Sequence, residues 1–323
     1  MAVKNILITT LWAALAVVLL VGGCTAVQTY QAPLAPTLPP AEPTLAAAAP
    51  TPAAVSAVPT VAVETCGQAG SMTILFIGSD STNGVPPFGA DSVRLVKVDF
   101  DARRAAVVAF SRDLVVHPAA LNDPAVARLP LGLVFHKAYQ AAAGSELEKN
   151  AAAAGLLARV LRSEYGVSVD HYATVEMASL ADMIDTLGGV WLNVPEAVTT
   201  EKGYSYPAGS QTLDGDRSVE YVRFVFPGGD AGRTVRQNAF ARALITKVVS
   251  LEILPKVPTL LEQFKYAVAT DLSPEQIVSM ACLAGQLPDG GISFTAVDSA
   301  GQVSVNIPDT PSLKAYLSMT LSE

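Results

Sequence analysis

Basic residues are outnumbered in this sequence, and charged residues are scarce altogether. Asp, Glu, Lys and Arg make up 15% of the 323 residues, with 29 acidic against 21 basic side chains and a formal net charge of −8. A protein that binds DNA or RNA needs a basic face that neutralises phosphates. The composition therefore argues against a nucleic-acid partner.

Cysteine is also scarce, since Cys24, Cys66 and Cys282 are the only three. Cys24 lies in the N-terminal region considered next, so at most one disulfide can form in the rest of the chain. An exported protein permits a bond between Cys66 and Cys282, which would join the start of the domain to its C-terminal region. Two unrelated buried thiols fit the sequence equally well, and both alternatives stay open at this point.

The apolar run at the start of the sequence is short for a helix that spans a bilayer. The apolar run from Ile6 to Val21 follows the cation Lys4 and has about sixteen residues, fewer than the roughly 20 that a spanning helix needs. Such a run is typical of a secretory signal, and the small residues before Cys24 suit a lipoprotein signal peptidase. We therefore predict a signal peptide over residues 1–23 and a diacylglycerol on Cys24. An uncleaved signal anchor is the alternative.

Aromatic and charged residues are nearly absent from the segment that follows, residues 24–65, which is built from Ala, Pro, Thr, Val and Gln. Eight prolines between Pro33 and Pro59 disfavour helix and sheet alike. The segment is predicted to be a semi-rigid spacer. With acyl chains on Cys24, it would hold a domain near the outer face of the cell membrane, in an extracytoplasmic location.

From residue 66 onward, β-branched runs alternate with amphipathic helical patterns, which predicts a layered α/β domain. We expect a main domain over 66–257 and a C-terminal α/β extension over 258–323 packed on or near its core. Strands are predicted at 73–77, 93–100, 105–110, 169–175, 190–194 and 292–297, and helices at 146–165, 180–187, 274–285 and 311–321. The polar turn at 101–104 predicts an antiparallel hairpin. The strand–helix–strand pattern from 169 to 194 predicts a β-α-β crossover.

Two carboxylates stand where predicted strands end or begin. Asp80 follows the buried run 73–77, and Asp91 comes just before the next strand. Mg²⁺ commonly takes one or two carboxylates together with phosphate and water, so the pair is a candidate Mg²⁺ site. Each aspartate alone also fits an ordinary turn residue.

Arginines cluster at three further element ends. Arg112 lies in Ser111-Arg112-Asp113, Arg223 ends Tyr221-Val222-Arg223, and a helix beginning near Gly232 would place Arg233, Arg236 and Gln237 on one face. Guanidiniums near a helix N-terminus suit a multiply charged oxyanion such as phosphate. A salt-bridged surface helix is the alternative, but Asp230 is the only acid close in sequence, which favours the anion site.

Taken in order, these segments resemble the LytR-CpsA-Psr family, also catalogued as cell-envelope-related transcriptional attenuators. The likeness runs from about Ile74 to Leu251. Its successive pieces are Ile77-Gly78-Ser79-Asp80, the turn that carries Asp91, Ser111-Arg112-Asp113, Asp170-His171-Tyr172, Asp185-Thr186-Leu187-Gly188-Gly189-Val190, Pro207-Ala208-Gly209 with Leu213-Asp214-Gly215, Tyr221-Val222-Arg223, and Asp230-x-x-Arg233-x-x-Arg236-Gln237.

The resemblance implies a three-layer α/β/α domain whose central mixed sheet helps to enclose a hydrophobic tunnel for a polyprenyl chain. It implies transfer of a glycopolymer from a polyprenyl-pyrophosphate carrier to a hydroxyl of peptidoglycan or another envelope acceptor. Asp80 and Asp91 would hold Mg²⁺. The phosphate-binding set implied in this way is Arg112, Asp113, Arg223, Arg233, Arg236 and Gln237, of which all but Asp113 are also expected to be catalytic.

The chain departs from the family pattern in three places. Gly89-Ala90 replaces an arginine ahead of Asp91, Val225 replaces a second arginine, and the segment that contains His136 only echoes a family motif. Losing guanidiniums from such a site can lower a rate by about 10²-fold each. A non-catalytic or catalytically weakened lipoprotein that binds polyprenyl phosphates is therefore the alternative function. Arg94 lies within a predicted strand, and the direction of its side chain does not follow from the sequence.

Overall fold

A computed structural model describes residues 66–80, 89–117, 121, 126, 128–226, 228–248, 250, 253, 256–264, 268–288, 290–297, 317 and 321. The predicted signal peptide, Cys24 and the spacer lie outside these residues, so the lipid anchor stays a prediction. Within the described ranges, no helix combines the length and the apolar character of a membrane-spanning segment.

A mixed sheet of six strands forms the centre of the fold. Its strands are β1 Ser71–Ser79, β2 Ala90–Asp99, β3 Arg104–Phe110, β4 His171–Glu176, β9 Val268–Thr270 and β10 Ile292–Val297. Across the sheet they lie in the order β10-β3-β2-β1-β4-β9. β2 pairs antiparallel with β1 and β3, which confirms the predicted hairpin. β4 runs parallel to β1, and β10 runs parallel to β3.

Helices cover both faces of the sheet. Leu75 and Leu95 point to one face, where they share a core with α1 (Leu131–Ala141) and α2 (Glu146–Tyr165). Ile74 and Val98 share a core on the opposite face with Leu283 of a helix near the C-terminus. Successive strand residues point to opposite faces, so both sides of β1 and β2 are buried. The predicted α/β/α layering is confirmed.

The ends of α2 follow the predicted bounds because the sequence supplies both caps. The Ser145 hydroxyl accepts a hydrogen bond from the backbone N–H of Glu148, and the Glu148 carboxylate accepts one from the backbone N–H of Ser145. Gly166 ends the helix in the left-handed conformation at φ 77°. A reciprocal cap at the start and a glycine at the end fix a helix independently of its packing.

The predicted β-α-β crossover is wrong. β4 is followed by α3 (Met177–Thr186) and β5 (Val190–Val194), but β5 pairs antiparallel with β8 (Gly209–Leu213) in a separate two-stranded sheet. Buried and exposed residues alternate along β5, and Trp191 is 63% exposed. A parallel crossover strand would be buried on both faces, whereas alternation suits a ribbon with one wet face.

A second core ties this ribbon to the helices that follow. Ile184, Leu192, Tyr206, Tyr221 and Phe240 pack together in it. The short strands β6 (Val198–Thr199) and β7 (Ser205–Tyr206) pair with each other, and α4 (Gly215–Arg223) and α5 (Gly229–Val248) come next. This core holds α4 and α5 as a unit beside the central sheet.

The C-terminal residues complete the central sheet. After α6 (Val257–Gln263), β9 and β10 supply its two outermost strands, and α7 (Pro274–Gln286) covers one face. Leu317 and Leu321 are helical and buried in the core that the sheet forms with α1 and α2. The remainder of the helix predicted at 311–321 lies outside the described residues.

Cys66 and Cys282 form a disulfide that joins the segment before β1 to α7. The two cysteines are 216 residues apart in sequence. Cross-linking so long a loop removes conformational freedom from the unfolded chain. Of the two alternatives that the sequence left open, the disulfide is the correct one.

Replacing both cysteines by serine is expected to lower the free energy of unfolding by about 2–5 kcal/mol. Urea unfolding of the oxidised wild type and of the Cys66→Ser/Cys282→Ser variant measures the difference. A reductant should destabilise the wild type to the same degree and leave the variant unchanged. Equal urea midpoints for the two oxidised proteins would contradict the expectation.

Candidate functional site

Three strand ends meet at one end of the central sheet, called here the site end. β1 finishes there at Ser79 and is followed by Asp80, β3 finishes there and is followed by Arg112, and β2 begins there beside Asp91. The antiparallel pairing of β2 with both neighbours brings these termini together. The start of α5 lies on the same end, since the Ser111 hydroxyl donates to Asp230 Oδ2 at 2.8 Å.

The two predicted metal-binding aspartates both lie at the site end. Asp80 Oδ1 accepts the backbone N–H of Gly89 at 3.0 Å, and Asp91 Oδ1 accepts from Arg112 Nη1 at 2.5 Å. Each carboxylate has a second oxygen. Among the described residues, no three His, Cys, Asp or Glu side chains group closely enough to hold an ion by themselves. Two carboxylates suit an Mg²⁺ only together with substrate phosphate and water as further ligands, so the metal site stays a prediction.

Arg112 remains accessible although it forms an ion pair. Its side chain is 39% exposed, against 15% for its partner Asp91. Asp113 lies beside it with 3.8 Å between Oδ1 and Arg112 Nε, and is itself mostly exposed. Burial alone would lower the pKa of Arg112, but the hydrogen bond and charge of Asp91, with Asp113 and Asp230, raise it above its ordinary value. Arg112 is thus a permanent cation.

α5 begins at Gly229, three residues before the predicted start near Gly232. Gly228 and Gly229 have φ values of 91° and 63°, which bring the chain round into the helix. Asp230 then falls in the first turn, where the helix dipole favours an acid. The predicted spacing of Arg233, Arg236 and Gln237 at three and four residues is unaffected.

Each of these three α5 side chains is held by a specific partner. Arg233 is 5% exposed and forms an ion pair with Asp230. Arg236 donates to the carbonyl of Phe224, and its guanidinium lies 3.7 Å from the centre of the Phe224 ring. Burial lowers the pKa of Arg236 below its ordinary value. Gln237 Nε2 donates to the carbonyl of Val222 at 3.0 Å.

Acids are more numerous around the arginines than the sequence indicated. Arg233 has Asp230 close to it along the chain and Arg112 has Asp113 as its neighbour, and folding also brings Asp91 to Arg112. Arg112 and Arg233 therefore each meet at least one carboxylate before any ligand binds.

Sequence reasoning missed Arg94 as a site residue. Its side chain leaves β2 on the face opposite Val93 and Leu95 and reaches α5, where Nη2 donates to Gln237 Oε1 at 3.0 Å and Nη1 to Asn238 Oδ1. It is 9% exposed, and burial lowers its pKa to about 10. The available signal was the alternation of apolar residues along β2. It places Arg94 on the face opposite Val93 and Leu95, away from the core that Leu95 shares with α1 and α2.

Arg223 is placed by the packing of its helix, and the described contacts do not join it to Asp80, Asp91 or Arg112. It is the last residue of α4, half-buried, and directly precedes Phe224. Asp214 caps the start of α4, and Asp185 of α3 accepts the backbone N–H of Gly215 at 2.7 Å. A Cβ at position 215 would lie 2.2 Å from the Ala181 carbonyl oxygen, so only glycine permits this approach of α4 to α3.

A cavity of about 330 Å³ lies between α2 and strands β4 and β9. Its lining residues are Ser145, Glu146, Leu147, Asn150, Thr174, Glu176 and Ala269. Glu176 pairs with Ser79 across the sheet, so the cavity reaches the site end. The longer lipid tunnel that the family resemblance implies stays a prediction.

His136 is half-buried on α1, one turn beyond Gly132, whose N–H donates to the Arg112 carbonyl.

Comparison with known proteins gives one family and one fold. The model of the LytR_cpsA_psr family matches residues 44–318. The cell wall biosynthesis protein LcpA of Corynebacterium glutamicum is 29% identical over 260 residues, which cover 72% of this chain and 49% of LcpA. The polyisoprenyl-teichoic acid–peptidoglycan teichoic acid transferase TagU of Oceanobacillus iheyensis is 25% identical, covering 65% of this chain and 62% of TagU. The chain spans about half the length of the curated relatives it matches.

Solved structures share the fold at low identity. TagV of B. subtilis has a TM-score of 0.60 and 18% identity, covering 79% of this chain and 98% of TagV. A LytR-Csp2A-Psr enzyme from Actinomyces oris has a TM-score of 0.55 and 18% identity, covering 81% and 93%. At this identity the likeness establishes the fold alone.

Proposed function

The chain belongs to the LytR-CpsA-Psr family, and from that premise we propose that it is a cell-envelope phosphotransferase. It moves a glycopolymer from a polyprenyl-pyrophosphate carrier to a hydroxyl of peptidoglycan or another envelope acceptor. Relatives are named as a cell wall biosynthesis protein and as teichoic acid transferases. The observation that carries the proposal is the meeting of guanidiniums and the Asp80–Asp91 pair at one end of the sheet.

The chemistry asks mainly for charge and position. The acceptor hydroxyl attacks the phosphorus that bears the glycan, the bond from that phosphorus to the bridging oxygen breaks, and polyprenyl monophosphate leaves while the hydroxyl proton passes to solvent. Phosphoryl transfer needs little covalent help from a protein and depends on neutralising the phosphate oxygens. Arg112 is the accessible cation for this purpose, and Arg233 and Asp230 fix the start of α5 beside it.

Asp80 and Asp91 would hold an Mg²⁺ ion, which would neutralise charge on the phosphates when bound. Arg112 holds one oxygen of Asp91, so it also orients that carboxylate. The predicted lipid on Cys24 and the proline-rich spacer would keep the site close to donors embedded in the membrane. The glycopolymer transferred and the hydroxyl that accepts it remain open within this class.

The proposal is tested by incubating the full chain in detergent with a lipid-linked oligosaccharide, an acceptor glycan and Mg²⁺. We expect glycan on the acceptor, loss of transfer with EDTA and recovery with added Mg²⁺. Asp80→Asn should raise the Mg²⁺ concentration for half-maximal rate by about tenfold or more, because an amide is a weaker ligand than a carboxylate.

Asp101→Asn is the matched control for Asp80→Asn. Asp101 accepts the backbone N–H of Gly70 at 3.0 Å, the same kind of contact that Asp80 makes with Gly89, but at the opposite end of the sheet. Its replacement should leave the Mg²⁺ dependence unchanged. Equal Mg²⁺ curves for all three proteins would remove Asp80 from the metal site.

A non-catalytic or weakened polyprenyl-phosphate-binding lipoprotein is the second candidate function. It is favoured by the carboxylates that already occupy Arg112 and Arg233, and by the uncharged Gly89 and Val225. On this alternative, native mass spectrometry after gentle extraction finds a bound polyprenyl phosphate, while added donor stays intact at every Mg²⁺ concentration. Consumption of the donor decides for the enzyme.

A further inference from the structure

Arg94 is a buried cation whose hydrogen-bond partners in the described structure are all neutral. We propose that it is a positioning residue that turns Ser92, Gln237 and Asn238 into hydrogen-bond donors and so fits the site to a phosphate or pyrophosphate group. The inference rests on the proposed function and adds a residue to its site. It concerns how this chain recognises an anion, whichever glycan is attached.

The contacts join the start of β2 to the middle of α5. Arg94 Nε donates to Ser92 Oγ at 3.1 Å, Nη2 to Gln237 Oε1 at 3.0 Å, and Nη1 to Asn238 Oδ1. Gln237 and Asn238 are half-buried, so both keep a solvent-facing side. One guanidinium therefore holds together three polar groups from two elements.

The donor-only chemistry of arginine fixes the orientation of these groups. A guanidinium has no acceptor, so it can bond Gln237 and Asn238 only through their oxygens. Gln237 then gives one amide hydrogen to the Val222 carbonyl and keeps the other, and Asn238 presents its NH₂ group. The Ser92 oxygen accepts from Arg94, which leaves the hydroxyl hydrogen to donate. All three groups offer hydrogen atoms, which suits an anion.

The charge of Arg94 favours the same ligand. No carboxylate of the described residues lies within ion-pair distance of it, whereas Arg112 has two and Arg233 has one. Burial lowers the pKa of Arg94 to about 10, so the guanidinium stays protonated at neutral pH. A buried charge without a counter-ion is unfavourable, and an anion bound nearby relieves it.

The test compares a charged and a neutral ligand with the same apolar chain. Farnesyl diphosphate and farnesol are titrated into the full chain in detergent by calorimetry. Arg94→Met should weaken farnesyl diphosphate binding by about tenfold to a hundredfold, the range for hydrogen bonds to charged groups, and leave farnesol binding unchanged. Arg94→Lys should fall between, because lysine keeps the charge but not the planar donor set.

Two further variants separate positioning from folding. Arg242→Met is the matched control, since Arg242 is on the same helix and lies over the Phe294 ring at 4.6 Å. It should bind both ligands as the wild type does. In a Gln237→Ala/Asn238→Ala background, Arg94→Met should cause a smaller loss than in the wild type, because the groups it positions are gone.

Each outcome decides the proposal. Parallel loss of farnesyl diphosphate and farnesol would mean a structural role, and unchanged affinity for both would mean no role, so either result overturns the inference. A wild type that binds farnesyl diphosphate but transfers no glycan would sink the proposed function while this test is still decided by binding. A wild type that does not bind farnesyl diphosphate at all overturns both.

Discussion

Replacing Arg112 by alanine is expected to lower the rate of glycopolymer transfer by about 10²-fold or more while the domain stays folded. Arg112 is 39% exposed, so removing its side chain leaves no buried cavity. Its partner Asp91 is only 15% exposed, and without Arg112 it loses the hydrogen bond that orients it at the proposed phosphate site. The variant therefore loses a cation and the residue that orients a proposed metal ligand.

Transfer by the Arg112→Ala variant is measured at saturating acceptor, with thermal unfolding followed in parallel. Arg104→Ala is the matched control, because Arg104 pairs with Asp99 of β2 at the opposite end of the same sheet. That variant should keep the wild-type rate. Arg112→Lys should recover only part of the loss, since lysine cannot bind phosphate in a bidentate way. Equal rates for Arg112→Ala and Arg104→Ala would contradict the placement of the site.

Replacing Arg233 by methionine is expected to abolish transfer and also to destabilise the protein. Arg233 is 5% exposed and neutralises Asp230, which in turn accepts from Ser111 after β3. Breaking a fully buried pair lowers stability by about 3–5 kcal/mol, and the partial exposure of Asp230 reduces this to about 2 kcal/mol. Urea unfolding and the transfer assay give the two values.

A double variant separates these two effects. Asp230→Asn/Arg233→Met removes the stranded charge and keeps an oxygen that can accept from the Ser111 hydroxyl, so most of the stability should return. Transfer should stay lost, because the guanidinium is still missing. Recovery of transfer together with stability would show that Arg233 serves only the fold.

The helices and strands that could be predicted are those determined by local sequence patterns. The bounds of α2 follow from Ser145, Glu148 and Gly166, which cap the helix through neighbours within a few residues. The apolar run 73–77 predicts β1, and the polar turn at 101–104 predicts the hairpin of β2 and β3. In each case the deciding interactions are close in sequence, so the pattern contains them.

Contacts between distant segments could not be predicted in the same way. Arg112 meets Asp91 across a strand pair, and Arg94 meets Asn238 across a separation of 144 residues. Which sheet β5 joins depends on whether one of its faces is exposed to solvent, and the sequence feature that indicates this is the alternation from Val190 to Val194, in which Trp191 is exposed. Proximity of Cys66 to Cys282 required the path of the whole chain.

The identity of the lipid product tests the central claim most directly. The full chain is incubated with Mg²⁺, an acceptor glycan and a polyprenyl-pyrophosphate-linked oligosaccharide, and the lipid products are quantified by mass spectrometry. Attack at the phosphorus that bears the glycan predicts polyprenyl monophosphate in equal amount to glycan joined to the acceptor through phosphate. Release of polyprenyl diphosphate, or donor that stays intact in the presence of Mg²⁺, would contradict a phosphotransferase at this site.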